Sequence, residues 1–257
     1  MGTLLEIQDL TVRFGGLAAV SQLTFGIEEG SILGLIGPNG SGKSTCLNVI
    51  SRIYAPDTGR LTFMGRDITG LKSYQVVPIG IARTFQNLRI FKNISCLDNV
   101  LIGRHHLIRT NALNIFFRPF KAGREERIAR DKAKSLLDMV GLANRADELA
   151  GSLPYGAQRR LEIARAMAIE PKLLLLDEPN AGMNPRESLV LIELIQTIRQ
   201  KGLTILIIEH NMKTIMSVSD RIVVLNSGRK LFEGTPTEVQ QSKAVQEVYL
   251  GRDEEGD

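Results

Sequence analysis

Apolar and polar positions along the chain switch between two periods, and the switches mark out the elements. Residues 3–14 alternate in part and predict a strand. Gly15-Gly16 is a turn, and Leu17 to Ile27 predicts a second strand, broken by Glu28-Glu29-Gly30. The pair reads as an antiparallel hairpin laid beside the strand that follows. Ser31 to Ile36, Lys172 to Leu176 and Leu203 to Ile208 are short apolar runs, as expected of strands buried on both faces. Helical spacing marks Cys46 to Ile53, residues 156–169, and a stretch from about Arg186 closed by Lys201-Gly202. Smaller elements fill the gaps. Ala55 to Gly59 is a turn, Arg60 to Met64 a strand, and Ser73 to Val77 a helix stopped by Pro78. Ile81 to Gln86 reads as a strand ending in a glutamine. Strands Arg221 to Leu225 and Lys230 to Phe232 flank a hairpin signal at Asn226-Ser227-Gly228-Arg229, and a helix starts from Pro236.

The stretch from Asn87 to about Leu153 has another texture. It is mostly helical, carries Phe116, Phe117 and Phe120 around Pro119, and includes a run, Arg124 to Val140, that predicts one amphipathic helix. Its apolar residues are Ile128, Ala133, Leu136, Leu137 and Val140. Strands alternating with helices on either side of this stretch predict an α/β fold, with a mostly parallel central sheet, an antiparallel β edge and an inserted helical subdomain.

The chemistry gathers at strand ends. Gly37, Pro38, Asn39, Gly40, Ser41, Gly42, Lys43, Ser44 and Thr45 fit the phosphate-binding loop G-x-x-x-x-G-K-[ST], placed as that loop requires between a buried strand and a helix. Glycines let successive backbone N–H groups face one phosphate chain, and the helix N-terminus adds donors and the positive end of its dipole. Lys43 would reach the β- and γ-phosphates and the Ser44 hydroxyl would sit on Mg²⁺. Leu173 to Leu176 ends in Asp177 and Glu178, which puts two carboxylates at the C-terminal edge of the sheet. Asp177 would hold Mg²⁺ through its water shell, and Glu178 would orient an attacking water. His210 ends another buried strand, where it would contact the γ-phosphate. Phe14 closes the first strand, either to stack on an adenine or to cap the hairpin core.

Bulk properties narrow the class. The chain has 257 residues, 43% hydrophobic and 23% charged, an ordinary globular composition. Two cysteines, Cys46 and Cys96, cannot make a disulfide framework and suit a reducing cytosol. No signal peptide or membrane span is visible, so any membrane role must come through a partner. The formal net charge is +4, yet residues 104–134 alone hold nine Lys/Arg against three Asp/Glu. That block includes His105 and His106, read as surface residues. The basicity is local, which argues against a nucleic-acid-binding surface.

The order of features resembles the ATP-binding cassette (ABC) ATPase family over essentially the whole chain. The phosphate loop, Gln86, the helical insert, Leu153-Pro154-Tyr155-Gly156-Ala157-Gln158-Arg159-Arg160, Leu173 to Glu178 and His210 follow in that family's sequence. The resemblance implies one ABC domain over residues 1–257, with a RecA-like core of about 1–86 and 160–257 and a helical subdomain of about 87–159. It implies ATP and Mg²⁺, with Gln86 linking the ion and water to a transmembrane partner. Residues Leu153, Pro154, Tyr155, Gly156, Ala157 and Gln158 would face the nucleotide of a second ABC subunit, in a homodimer or heterodimer. The loop 180–185 would cross to that subunit. Within this segment Pro154 stands where the family has a serine, Tyr155 where it has glycine and Ala157 where it has glutamine, so one phosphate donor is missing.

Leu-x-Tyr-Gly, Ala181-Gly182-Met183-Asn184-Pro185, Arg83-Thr84-Phe85-Gln86 and the basic insert look most like the ATP-binding subunit of branched-chain amino-acid importers, or of urea and amide importers. This implies transmembrane permease subunits, a solute-binding protein reached indirectly, and a cytoplasmic place on the inner face of the membrane. The ATPase of lipopolysaccharide export is a near relative. A soluble regulatory ABC ATPase and a small-molecule kinase are the readings from other classes.

Overall fold

The computed structural model describes residues 2–104 and 119–250. His105, His106, Phe116 and Phe117 lie outside them. Among the described residues ten strands fall into two sheets. β1 (Thr3–Phe14), β2 (Leu17–Glu28), β4 (Thr58–Phe63) and β5 (Arg66–Asp67) form an antiparallel sheet in the order β2-β1-β4-β5. β3 (Ile32–Ile36), β6 (Ile81–Arg83), β7 (Leu173–Asp177), β8 (Thr204–Ile208), β9 (Arg221–Asn226) and β10 (Arg229–Gly234) form the second, in the order β10-β9-β3-β8-β7-β6. Only β10 runs antiparallel there. The helices are α1 (Lys43–Ile50), α2 (Ser73–Val76), α3 (Cys96–Gly103), α4 (Pro119–Met139), α5 (Tyr155–Met167), α6 (Pro185–Gln200), α7 (Met212–Val218), α8 (Pro236–Gln241) and α9 (Lys243–Leu250).

Side-chain alternation on the parallel strands divides the interior in two. Leu174, Leu176, Ile205, Ile207, Ile222 and Val224 point into a core shared with α3 to α7. Leu173, Leu175, Leu206, Ile208, Val223 and Leu225 point the other way, onto α1 and the apolar face of the antiparallel sheet. Every residue of β3, β7 and β8 is buried, which is why their runs show no polar alternation.

Three expectations are corrected. The N-terminal hairpin does not lie beside β3. Both edges of β3 are taken, by β8 and β9, and β1 pairs instead with β2 and β4, packing face to face on the central sheet through Leu5, Ile7 and Leu10. The strand expected to reach Gln86 stops at Arg83; Thr84 N–H still bonds the Leu175 carbonyl, but Phe85 and Gln86 turn away to donors on α5. On α4 the buried stripe is Ala129, Ala133 and Leu137, continued past its end by Val140, so Ile128, one residue round the helix, is 46% exposed.

Local signals explain the boundaries. Asn184 and Glu187 form a capping box at α6, with Pro185 in the first turn. Ser227 and Gly228 both have positive φ (48° and 77°), as a two-residue type I′ hairpin needs. That turn reaches the phosphate loop: Gly228 N–H donates to Ser41 O at 3.1 Å, and Gly228 O accepts Ser21 N–H at 2.8 Å. The basic block is less solvated than its composition suggests, since Arg104 is buried and both it and Lys132 pair with Glu170. Lys132 and Arg104 hold the Glu170 carboxyl below its ordinary range.

Cys46 and Cys96 are both fully buried, and burial pushes the Cys46 thiol up to about 12 and Cys96 upward. Both thiols are therefore expected to resist iodoacetamide at about pH 8 in the native protein and to react once urea unfolds it. Stoichiometric native labelling, read by intact mass, would contradict this packing.

Candidate functional site

The parallel register brings the ends of β3, β7 and β8 level: Leu35 pairs with Ile208, and Ile208 with Asp177. Three loops therefore leave one edge of the sheet together, as open α/β sheets place their ligand sites.

The loop after β3 is shaped by its glycines. Gly37 (φ 150°) and Gly42 (φ 100°) lie so close to other backbone that a Cβ would sit 2.2 Å from the Leu225 carbonyl oxygen or 2.6 Å from that of Ala19. Lys43 is buried and arches back over its own loop, its Nζ donating to Gly37 O at 2.7 Å and Pro38 O at 2.9 Å. Asn39, Gly40 and Ser44 are exposed, Pro38 and Thr45 half-buried. The Ser41 Oγ is buried with no hydrogen-bond partner, an orphaned polar atom in the hollow. α1 starts here with no acid in its first turn to compete for the helix N-terminus. A cationic ammonium, an orphaned hydroxyl and a helix N-terminus make a cradle suited to an anion such as a phosphate chain.

Glu178, Gln86 and His210, predicted from three separate stretches, meet. The Glu178 carboxylate takes His210 Nε2 on Oε1 at 2.6 Å and accepts Gln86 Nε2 on Oε2 at 2.9 Å. Its backbone has φ 47°, and its N–H donates to Ile208 O at 3.0 Å. A non-glycine residue in the left-handed region is a strained position of the kind that functional sites hold. Asp177 is buried and paired with Arg83 at 2.8 Å; Arg83 also donates to Asn48 Oδ1 at 2.8 Å and Ser51 Oγ at 2.9 Å. Ser44, Gln86 and Asp177 offer a hydroxyl, an amide and a carboxylate, all hard oxygen donors that fit a Mg²⁺ arriving with phosphates. Among the described residues no cluster of three or more His, Cys, Asp or Glu could hold a metal by itself.

Phe14 is 47% exposed and meets Tyr54 edge-on, ring centroids 5.3 Å apart, so its ring is not consumed by the hairpin core. In the 153–158 segment Pro154 is the N-cap of α5 and supplies no side-chain cap. Leu153, Gly156 and Ala157 are buried, Pro154 and Tyr155 exposed, and Gln158 Nε2 donates back to Leu153 O at 2.8 Å. A Cβ at Gly156 would meet Glu187 Oε1 at 2.6 Å, so α5 begins packed against the start of α6.

Five residues of the site escape sequence reasoning. Arg83, Asn48 and Arg159 sit on elements where a polar residue reads as solvated. Glu209 carries a signal, being an acid ending an apolar run beside His210. It is buried, and its carboxylate accepts Asn180 N–H at 2.8 Å, joining the loops after β7 and β8. Burial pushes it upward, against backbone donors of Asn180, Asn211 and His210 that pull it down, with the Glu178 charge raising it further. Tyr249 on α9 reaches the backbone of Gly37, and burial pushes its phenol up to about 12.

Residues 20–181 match the family model described as ABC transporter, and residues 229–255 that of the branched-chain amino acid ATP-binding cassette transporter. The high-affinity branched-chain amino acid transport ATP-binding protein BraF of Pseudomonas aeruginosa is 43% identical over 249 residues, 96% of this chain and 98% of that protein. The corresponding protein LivG of Escherichia coli is 40% identical over the same shares. Among solved structures, a nucleotide-free ATP-binding cassette from an ABC transporter superposes with a TM-score of 0.84 at 31% identity, covering 96% of this chain and 99% of that one. The ADP conformation of an ATP-binding cassette of an ABC transporter matches equally, with a TM-score of 0.84, 31% identity and coverage of 98% and 100%.

Gly42→Ala, which drives a Cβ into the Ala19 carbonyl and strains the backbone, is expected to weaken binding of a fluorescent ATP analogue by about tenfold or more. Gly70→Ala, with open space around it, should leave that affinity unchanged.

Proposed function

Because the chain belongs to the ABC transporter family, we propose that it is the ATP-hydrolysing subunit of a membrane importer whose solute is a branched-chain amino acid. The observation that carries hydrolysis is the Glu178 carboxylate held between Gln86 and His210, on the sheet edge that also carries the phosphate loop. The solute rests on the relatives, which are named for branched-chain amino acid transport over nearly their whole length.

In this reading the loop Gly37 to Thr45 wraps the phosphates, Lys43 leaves its own carbonyls for the β- and γ-phosphates, and Phe14 meets the adenine. Ser44, Gln86 and Asp177 would hold Mg²⁺, which when bound would neutralise phosphate charge. Glu178 accepts a hydrogen bond from the attacking water and lines it up with the γ-phosphorus. His210, already on Glu178, turns its ring N–H to the charge growing on the γ-phosphate. Glu209, through the backbone of Asn180 and His210, keeps the loops after β7 and β8 in step.

The site is completed by a second ABC subunit, the same chain or another, head to tail, whose corresponding segment approaches this nucleotide while Leu153 to Gln158 of this chain serve the other. Pro154 leaves that clamp with one donor fewer than a serine would supply. A groove of about 490 Å³ between the sheet edge and the helices, lined by Arg83, Arg89, Phe91, Ile102 and Arg165, suits a permease segment. Among the described residues no helix is long and apolar enough to cross a membrane; attachment to the inner face of the membrane through permeases rests on the transporter relatives. A solute-binding protein would act through those permeases, and no nucleic acid takes part.

Glu178→Gln is expected to lower steady-state phosphate release about a hundredfold or more while ATP still binds and a dimer accumulates on gel filtration. Hydrolysis at the wild-type rate would remove the role given to Glu178, and phosphate appearing on a metabolite would make the protein a kinase. Pro154→Ser is expected to raise turnover, because it restores a donor to the clamp; an unchanged rate would show that the hydroxyl is irrelevant.

A further inference from the structure

The loop that carries Gln86 has lost the sheet and needs another anchor. Beyond Thr84 its carbonyls find no strand. They are taken by Arg159, on the first turns of α5 and fully buried. Its Nη1 donates to Phe85 O at 2.6 Å and its Nη2 to Gln86 O at 2.7 Å. Glu162, one turn on and also buried, pairs with Arg159 Nη1 at 3.0 Å and accepts Arg89 N–H at 3.1 Å. The two side chains hold the loop at both ends, with Phe85 between the guanidinium groups of Arg83 and Arg89.

The same guanidinium faces the other way as well. Arg159 Nη2 donates to the Tyr155 hydroxyl at 3.2 Å, and a Cβ at Gly182 would lie 3.4 Å from the Tyr155 ring. The side chain of Gln86 meets Glu178. An unbroken path therefore runs from Glu178 through Gln86 to Arg159, and on to the exposed N-terminus of α5. A buried planar fork that gives two bonds to backbone carbonyls cannot slide relative to them without losing two buried, charge-assisted hydrogen bonds.

We propose that Arg159 is a positioning residue that couples Gln86 to the Pro154-Tyr155-Gly156 helix terminus, so that the state of this chain's own nucleotide site is passed to the terminus it presents to the second subunit. The proposal rests on the ATPase reading above, but its structural half does not require turnover. An ion pair that served only to fix the helix would need Glu162 alone; the bonds to the backbone of Phe85, Gln86 and Arg89 tie it to the loop that carries Gln86. Arg159→Lys keeps the charge and loses the fork, and so separates positioning from electrostatics.

The test uses the full chain as wild type, R159M, R159K and Y155F. Hydrogen exchange is followed by mass spectrometry, with and without a non-hydrolysable ATP analogue, below the concentration at which dimers form, alongside ATPase kinetics and analogue affinity. In wild type the analogue is expected to slow exchange at both 85–89 and 155–162. In R159M amides 85–89 should exchange about tenfold faster, the analogue should no longer protect 155–162, and kcat should fall about tenfold with affinity kept within about twofold. R159K should fall between the two, and Y155F should lose the protection at 155–162 while keeping that at 85–89. Wild-type behaviour of R159M at both segments overturns the proposal. So does a parallel loss of affinity with faster exchange in β7 and β8, which would make Arg159 merely structural. Should R159M not fold, R159K and Y155F decide on the same readouts. A wild-type chain that hydrolyses no ATP would sink the ATPase reading, while the exchange comparison would still decide the coupling.

Discussion

A parallel hydrogen-bond ladder sets the rest of the molecule. β3, β7 and β8 pair in a register that ends all three at one level, and each ends in chemistry: Gly37, Asp177 with Glu178, and Glu209 with His210. A slip of one residue would reverse every side chain on the slipped strand, turning Leu176 and Ile207 toward the wrong core. Burial of both faces makes that slip prohibitive, so hydrophobic patterning and catalytic geometry are fixed by the same bonds.

On that frame, the loops are held by charges that are largely withdrawn from solvent. Arg83 holds Asp177, Arg159 holds the carbonyls beyond β6, and Glu209 holds the backbone after β7 and β8. Each ion has several hydrogen-bonding partners, the condition under which a buried charge is tolerated. Isolated, any one of these pairs would be weak support for stability. Here they do something the apolar core cannot, fixing the direction of a backbone that has left regular structure.

What was legible in the sequence follows from range. The phosphate loop, the Asp177-Glu178 strand end and His210 are local patterns whose chemistry shows in consecutive residues, and the structure brings Gln86, Glu178 and His210 into contact. The place of the N-terminal hairpin was not legible, because alternation predicts strands but not which edges are already occupied. Ile128 misleads because an isoleucine beside Ala129 outweighs it on any hydrophobicity scale, while the buried face of the helix takes Ala129 and Ala133 with Leu137. Arg159 and Asn48 were hidden for a different reason. A charged or polar residue on a helix reads as solvated until a distant loop supplies its acceptors, and those acceptors are carbonyls with no residue-specific signature.

The hairpin turn at Ser227-Gly228 has a consequence for how the phosphate loop is assembled. Ser41 is a member of the phosphate loop, yet its carbonyl is capped by Gly228, and Gly42 rests against Ala19 and the same glycine. The motif and the glycine that seats it come from distant stretches of the chain, so the loop's seating is complete only once β9 and β10 have joined the sheet beside β3.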